Sequence, residues 1–142
     1  MNYETITCDG LELVGLETRA SNADPASIGA LWGRFFGDAG VQQIDALDDA
    51  VVAVYCEYEG DHTQPYTFFL GRRVAPEAAV PEGCVRRRVG GGSFARFVAE
   101  GEQPAALIET WQAIWTTPIE RSYEADYEIH TGGPRIEIFV GV

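Results

Sequence analysis

Residues 104–140 read PAALIETWQAIWTTPIERSYEADYEIHTGGPRIEIFV, and this stretch decides the predicted fold. Apolar side chains recur at helical spacing up to residue 116, and Pro118 ends that pattern. Two short segments with alternating apolar and polar residues, 126–130 and 135–140, then flank a Gly-Gly-Pro turn. This order predicts one amphipathic helix followed by an antiparallel hairpin.

The first half of the chain repeats this order. Its segment Ile28-Gly-Ala-Leu-Trp32 has the same aliphatic–tryptophan helical spacing as Leu107-Ile-Glu-Thr-Trp111. Asp24-Pro25 precedes the first helix as a start signal, with Asp24 as the expected N-cap. Residues 51–58 and 66–74, rich in β-branched and aromatic side chains, predict a hairpin after that helix.

A strand region also precedes each predicted helix. Residues 3–19 alternate loosely around Asp9-Gly10, which predicts a short hairpin, and a glycine triplet at 90–92 interrupts the corresponding region of the second half. We therefore expect an α+β fold in which both helices pack on sheet surface. The single domain, residues 1–142, is predicted to consist of two pseudo-repeated strand–helix–hairpin modules, at about 1–75 and 80–142.

The charge distribution limits the partners. The net charge is −12, and all ten basic residues are arginine. Such a field repels nucleic acid, so we expect no direct nucleic-acid binding. It attracts a cationic ligand or a basic protein surface, although acidity that only favours solubility explains the charge equally well. The cluster Arg86-Arg-Arg88 is expected to pair with nearby acidic residues.

Cysteine and histidine usage argues against a metal site and a disulfide framework. Cys8, Cys56 and Cys84 are widely spaced and form no Cys-x-x-Cys pair, which is typical of buried thiols in a reducing compartment. His62 and His130 are too far apart to form a metal site alone. The apolar runs are too short for a membrane span, and the N-terminus lacks a secretory pattern. We expect a cytoplasmic protein without membrane contact and without a cofactor.

The last two strands carry the most specific candidate site. Alternation places Glu128 and His130 on one face of their strand, and Glu137 and Phe139 on one face of the next. Carboxylates beside aromatic rings indicate either a solvated outer face or a site for a lipophilic cation. The number of rings favours the second interpretation, because these eleven aromatic side chains of the predicted strands and helices already exceed what a simple core needs: Trp32, Phe36, Tyr55, Tyr58, Tyr66, Phe68, Phe69, Phe94, Phe97, Trp111 and Trp115.

Several runs of the chain, taken in order, resemble the GyrI-like family of AraC-type effector-binding domains. They are residues 54–61, 66–71, 81–97, 111–115, 126–130 and 136–139. The resemblance implies a ligand cleft between two related modules. It identifies Glu128 with the glutamate that meets cationic ligands. His130 stands where many relatives have an aromatic residue, which implies a more polar cleft.

The predicted ligand site combines this resemblance with the strand alternation. The resemblance assigns helix tryptophans to Trp111 and Trp115, and aromatic strand positions to Tyr55, Tyr66 and Phe68. The other members of the predicted site, beside Glu128, are Trp32, Phe36, Glu137 and Phe139.

Three functions fit these features. The favoured one is a non-enzymatic binding module that sequesters or senses hydrophobic, cationic small molecules, with any transcriptional role passing through a separate regulator. The resemblance also implies a hydrolase of reactive small molecules, in which Glu128 or Glu137 acts as general base. The third is a protein-interaction role such as gyrase inhibition.

Overall fold

The protein is described here from a computed structural model that covers residues 2–142. Within that range it has eight strands and three helices, and the strands form one antiparallel sheet in the order β1-β6-β8-β7-β3-β4-β2-β5. In chain order the elements are β1 (Glu4–Cys8), β2 (Leu11–Ala20), α1 (Ala26–Phe35), α2 (Ala39–Gln42), β3 (Val51–Cys56), β4 (Tyr66–Arg73), β5 (Val85–Val89), β6 (Gly92–Glu100), α3 (Ala105–Thr116), β7 (Ala125–His130) and β8 (Arg135–Gly141).

The strand order has an internal symmetry. Exchanging each of the first four strands in the chain with the strand numbered four higher gives the same order read from the opposite end of the sheet. Helix α1 follows β2 in the same way that α3 follows β6. The topology is therefore symmetric about the β3–β7 pair at the centre of the sheet, while a duplication of the sequence itself stays a prediction.

The predicted hairpin of residues 3–19 is wrong. Strand β1 pairs with β6, whereas β2 pairs with β4 and β5 at the other end of the strand order. Only Asp9 and Gly10 connect β1 to β2, and so short a link spans about 11 Å at most. The sheet must therefore curl until its two ends meet. A turn signal in the sequence specifies a bend but not the partner of each strand.

Two glycines, Gly10 and Gly91, lie where the ends of the sheet meet. A Cβ atom added to Gly91 would lie 3.0 Å from the carbonyl oxygen of Cys8, and one added to Gly10 would lie 2.9 Å from that of Val89. The β1–β2 and β5–β6 connections thus cross in direct backbone contact. Within the glycine triplet at 90–92, Gly91 allows this close approach, and Gly92, which has a φ of +153°, is the first residue of β6.

The curled sheet has two faces, each with its own core. The inner face is filled by side chains from the strands alone: Leu13, Val52, Val54, Cys56, Phe69, Val89, Phe94, Tyr127 and Phe139. We call the other side the helix face, because α1 covers it around Phe35 and Phe68, and α3 covers it around Phe97 and Ile114. The two helices cover opposite flanks, so the centre of the helix face lies between them.

Both long helices lie close to their predicted positions. Helix α3 spans Ala105–Thr116, against a prediction of about 104–116. Helix α1 begins one residue later than expected, with Pro25 at the N-cap, and the Asp24 carboxylate accepts a 3.4 Å hydrogen bond from the Ala26 amide. Among residues 2–142, no helix is long and apolar enough to cross a membrane.

The arginine cluster on β5 is neutralised, as expected. Arg86 and Arg88 both pair with Glu12 of the neighbouring strand. Arg87 points to the opposite face and pairs with Glu17 at 2.8 Å. The one strongly basic run of the chain is therefore satisfied within the sheet.

Candidate functional site

A cavity of about 600 Å³ opens on the helix face between α1 and α3, above the central strands β3 and β7. This volume lies within the usual range of small-molecule sites. The residues that line it are mostly apolar and aromatic: Asn22, Pro25, Ile28, Gly29, Trp32, Tyr55, Tyr58, His62, Tyr66, Gln103, Pro104, Leu107, Ile108, Trp111, Trp115, Arg121, Glu128, His130 and Ile136. We refer to this cavity as the cleft.

The Glu128 carboxylate forms part of the cleft floor, and its side chain is only 1% exposed. Its Oε2 atom accepts hydrogen bonds from the Tyr55 hydroxyl at 2.7 Å and from the Trp111 indole Nε1–H at 2.6 Å. Its Oε1 atom lies 2.7 Å from Nε2 of His130. Three partners from β3, α3 and β7 therefore hold this buried carboxylate in place.

Strand register explains why this glutamate lies inside the protein. On β7, residues 126, 128 and 130 share the helix face, because successive side chains of a strand alternate. Glu128 is directly opposite Ala53 of β3, and Tyr55 is opposite Asp126. The small side chain of Ala53 leaves space above it, into which Tyr55 reaches diagonally to meet Glu128.

The tyrosines around the carboxylate keep their protons. Burial, followed by the charge of Glu128, raises the pKa of Tyr55 well above its ordinary value. The same two causes raise the pKa of Tyr66 to about 12. Tyr55 is therefore a hydrogen-bond donor to Glu128 at all physiological pH values.

A second buried carboxylate, Asp126, lies two residues away on the same strand and is not exposed. Its Oδ2 atom accepts hydrogen bonds from the Arg121 guanidinium at 2.6 Å and the Tyr58 hydroxyl at 2.5 Å, while Oδ1 accepts one from the Gly141 amide at 2.9 Å. The Arg121 side chain is 5% exposed. Asp126 and Arg121 thus form a buried ion pair that neutralises itself.

The two carboxylates differ in how their charges are matched. Asp126 has a permanent cation as its partner, whereas Glu128 has only His130, which is charged only when protonated. Among the residues that line the cleft, Arg121 is the one permanent cation, and it is committed to Asp126. Glu128 is therefore the cleft carboxylate without a permanent cation as its partner among residues 2–142.

Six of the ten predicted site residues line the cleft together: Trp32, Tyr55, Tyr66, Trp111, Trp115 and Glu128. Two others lie beside it. Phe68 is fully buried below Tyr55, with 5.2 Å between ring centroids, and Phe36 is 59% exposed at the end of α1, next to Trp32.

The structure places Glu137 and Phe139 on the opposite face of the sheet. The register pairs Glu128 with Ile138, so the residues on either side of Ile138 point away from the cleft. Phe139 belongs to the inner core and stacks on Tyr127 with centroids 4.6 Å apart. Glu137 pairs with Arg96 at 2.5 Å. We therefore leave both residues out of the proposed site.

Sequence reasoning missed the polar residues at the Trp115 end of the cleft. His62 stacks on Trp115, with centroids 5.4 Å apart and ring planes 5° apart. Burial, followed by the nearby charge of Arg121, lowers the pKa of His62. His62 and Arg121 lie in irregular segments, where no periodicity indicates the direction of a side chain. Within residues 2–142, no group of three or more His, Cys, Asp or Glu side chains could hold a metal ion.

Comparison with known families gives a match over nearly the whole chain. The family model described as Cass2, integron-associated effector binding protein, matches residues 4–142. A Bacillus subtilis (strain 168) protein named "Putative transcriptional regulator protein YobU" is 27% identical over 144 residues, covering 92% of this chain and 88% of that protein.

Solved structures share the fold. An integron cassette protein from the mobile metagenome of Vibrio cholerae has a TM-score of 0.82 and 27% identity, covering 99% of this chain and 95% of that one. A structure of SAV2435 bound to tetraphenylphosphonium has a TM-score of 0.75 and 15% identity, with coverages of 99% and 93%. The second similarity concerns the fold alone. The family match confirms the resemblance drawn from the sequence.

Proposed function

This chain belongs to the family of integron-associated effector-binding proteins, and from that premise we propose that it binds hydrophobic cations in the cleft between α1 and α3. The observation that carries the proposal is the buried Glu128 carboxylate, which has no permanent cation as its partner and is surrounded by aromatic side chains.

Electrostatics and ring geometry favour this class of ligand. A carboxylate that is already removed from water gains most from a cation that reaches it without a tightly held hydration shell. Aromatic faces add about 0.5–2 kcal/mol each to a desolvated cation. Trp111 and Tyr55 contact the carboxylate directly, and their ring centroids are 5.3 Å apart. Trp32 packs against the ring of His130, with centroids 4.9 Å apart. A bulky, weakly hydrated cation suits such a site better than a small ammonium ion.

The biological role we propose is sequestration or sensing of such cations in the cytoplasm. The three free cysteines support a reducing compartment. The net charge of −12 disfavours direct contact with DNA, so a transcriptional response would pass through another protein. The tetraphenylphosphonium bound to SAV2435 supports the choice of that cation as the first probe.

We further propose that the cleft is the junction of two related modules, at about 1–75 and 80–142. The symmetric strand order supports this, since it places the equivalent strands β3 and β7 side by side under the cleft. Each module then supplies one helical wall.

Isothermal titration calorimetry with tetraphenylphosphonium tests the proposal. We expect the wild-type chain to bind this cation and Glu128→Gln to bind it at least about tenfold more weakly, since the amide removes the charge but keeps the shape. Glu137→Gln is the matched control, because its glutamate lies on the other face of the sheet. The proposal fails if the wild type does not bind, or if both variants lose affinity equally.

A further inference from the structure

The Trp115 end of the cleft contains polar atoms that the protein leaves without partners. Nε and NH1 of Arg121 and Nδ1 of His62 are buried, and none has a hydrogen-bond partner among residues 2–142. Both side chains line the cleft. Buried polar groups in proteins are nearly always hydrogen-bonded, so three orphaned nitrogens at one end of a cavity call for an explanation.

The surroundings of Arg121 hold its guanidinium group in place. NH2 is fixed by Asp126 at 2.6 Å, the carbon Cζ lies 4.4 Å from the centroid of the Tyr123 ring, and Trp111 lies on another side at 5.9 Å. Burial alone would lower the pKa of Arg121, but the charge of Asp126 acts together with Tyr58, Tyr123 and the hydrogen bond to Asp126, and the pKa is raised. A charged donor is therefore held against the aromatic wall with two of its three nitrogens unused.

His62 is fixed in a similar way. Its ring stacks on Trp115, and its backbone carbonyl accepts a 2.8 Å hydrogen bond from the Asn22 side chain. Because burial and Arg121 lower its pKa, the ring is neutral near pH 7 and has one N–H donor. The tautomer with the proton on Nδ1 adds a second donor next to Arg121.

We propose that Arg121 and His62 form a subsite for a neutral carbonyl oxygen, so that the cleft selects hydrophobic cations that also carry a carbonyl group. This inference rests on the proposed function, and it concerns the second anchoring point of the same ligand. A carboxylate is disfavoured because Asp126 already balances the charge of Arg121, and Glu128 lies nearby on the same strand. Nε and NH1 of Arg121 are buried, so a ligand oxygen reaches them only when the Tyr123 and Trp111 rings beside the guanidinium move apart.

The two carboxylates beside the anchoring points set the scale of the probes. Asp126, which holds Arg121, and Glu128 are two residues apart on one face of β7, and this spacing is about 7 Å. We therefore choose probes whose carbonyl lies roughly that far from the cationic centre, at the end of a linker of about three methylene groups.

Three triphenylphosphonium probes test the subsite by calorimetry. They carry a 4-methylpentyl, a 3-carbamoylpropyl or a 3-carboxypropyl chain, so that they share the cation but end in an apolar isostere, a neutral carbonyl or a carboxylate. We expect the carbamoyl probe to bind the wild type about tenfold more tightly than the methylpentyl probe, as one hydrogen bond to a charged donor implies. The carboxylate probe should bind no more tightly than the carbamoyl probe.

Two variants connect this preference to the proposed residues. The double variant Arg121→Met, Asp126→Asn removes the donor without leaving a buried charge, and it should reduce the preference to about onefold. His62→Phe keeps the stacking on Trp115 and should reduce it in part. The matched control Arg96→Met, Glu137→Gln removes an ion pair from the other face and should keep the full preference.

The possible outcomes distinguish a failure of the subsite from a failure of the proposed function. If no probe binds, the proposed function fails and the subsite fails with it. If the methylpentyl probe binds but the carbamoyl probe is no better, cation binding stands and the subsite is wrong. A preference that survives in both Arg121 and His62 variants also overturns the subsite, and a preference for the carboxylate probe overturns its neutral character.

Discussion

Strands β7 and β8 are neighbours with similar sequences, Tyr127-Glu-Ile129 and Ile136-Glu-Ile138, yet their glutamates have opposite environments. Glu128 is buried below the cleft among Tyr55, Trp111 and His130. Glu137 lies on the other face, is 35% exposed and pairs with Arg96. The local sequence is nearly the same, so the difference lies in what each glutamate faces.

Strand register produces that difference. Glu128 is opposite Ile138, and Glu137 is opposite Ile129, so each glutamate shares a face with the isoleucine of the other strand. On the helix face, β8 contributes Ile136 and Ile138 to the core below α3, while β7 contributes its polar residues to the cleft. The environment of an acidic residue in a strand therefore depends on which face of the sheet its side chain occupies and on what covers that face.

The largest effect should come from breaking the ion pair on each face. Arg121→Met leaves Asp126 buried with an unmatched charge, and we expect a loss of about 3–5 kcal/mol in the free energy of unfolding. Arg96→Met breaks the more exposed pair with Glu137 and should cost about 1 kcal/mol or less. Urea unfolding of both variants measures the difference, and equal losses would contradict the contrast between the two faces.

An intermediate effect should follow from removing one donor to Glu128. Trp111→Phe keeps a ring in the cleft wall but removes the indole N–H. We expect a loss of about 1.5–3 kcal/mol in the free energy of unfolding, because that is the usual contribution of a hydrogen bond to a charged group. Trp115→Phe is the control. Trp115 is partly exposed and stacks on His62, so its replacement should cost less than about 1 kcal/mol. A larger loss of stability for Trp115→Phe than for Trp111→Phe, measured by thermal or urea unfolding, would contradict the stabilising role of the Trp111–Glu128 hydrogen bond.

The smallest effect should appear as a pH dependence of stability. The pKa of His62 is lowered by burial and by Arg121, so the unfolded chain takes up a proton before the folded one as the pH falls through the ordinary value of 6.5. Stability is therefore lost on acidification. Melting temperatures at about pH 7.5 and about pH 5.5 should differ less for His62→Phe than for the wild type. An unchanged or larger difference in the variant would rule out His62 as a contributor.

The sequence predicted most elements because their signals are local. Helix α3 and the two hairpins, β3–β4 and β7–β8, are confirmed, although Ile108 and Trp115 of the predicted stripe are exposed. The pairing of β1 with β6 could not be predicted in this way, because residues 4–8 contain nothing that specifies a partner almost ninety residues away.

The site was only partly predictable for a related reason. Alternation shows that Glu137 and Phe139 share a face, but it does not show which face of the sheet the helices cover. The Arg121–Asp126 pair was missed because Arg121 lies outside any helix or strand, where its side-chain direction depends on tertiary packing alone. Glu128, which lines the cleft, was predicted because the family resemblance added information that periodicity lacks.

The crossed connections at Gly10 and Gly91 have a consequence for how the chain holds together. Each half lends its leading strand to the other, since β1 pairs with β6 and β5 pairs with β2. We therefore expect the two fragments left by cleavage between residues 75 and 83 to reassociate, because each contains a strand that pairs with the other fragment. Neither fragment could complete the sheet alone, because the pairs β1–β6, β2–β5 and β3–β7 each join one fragment to the other.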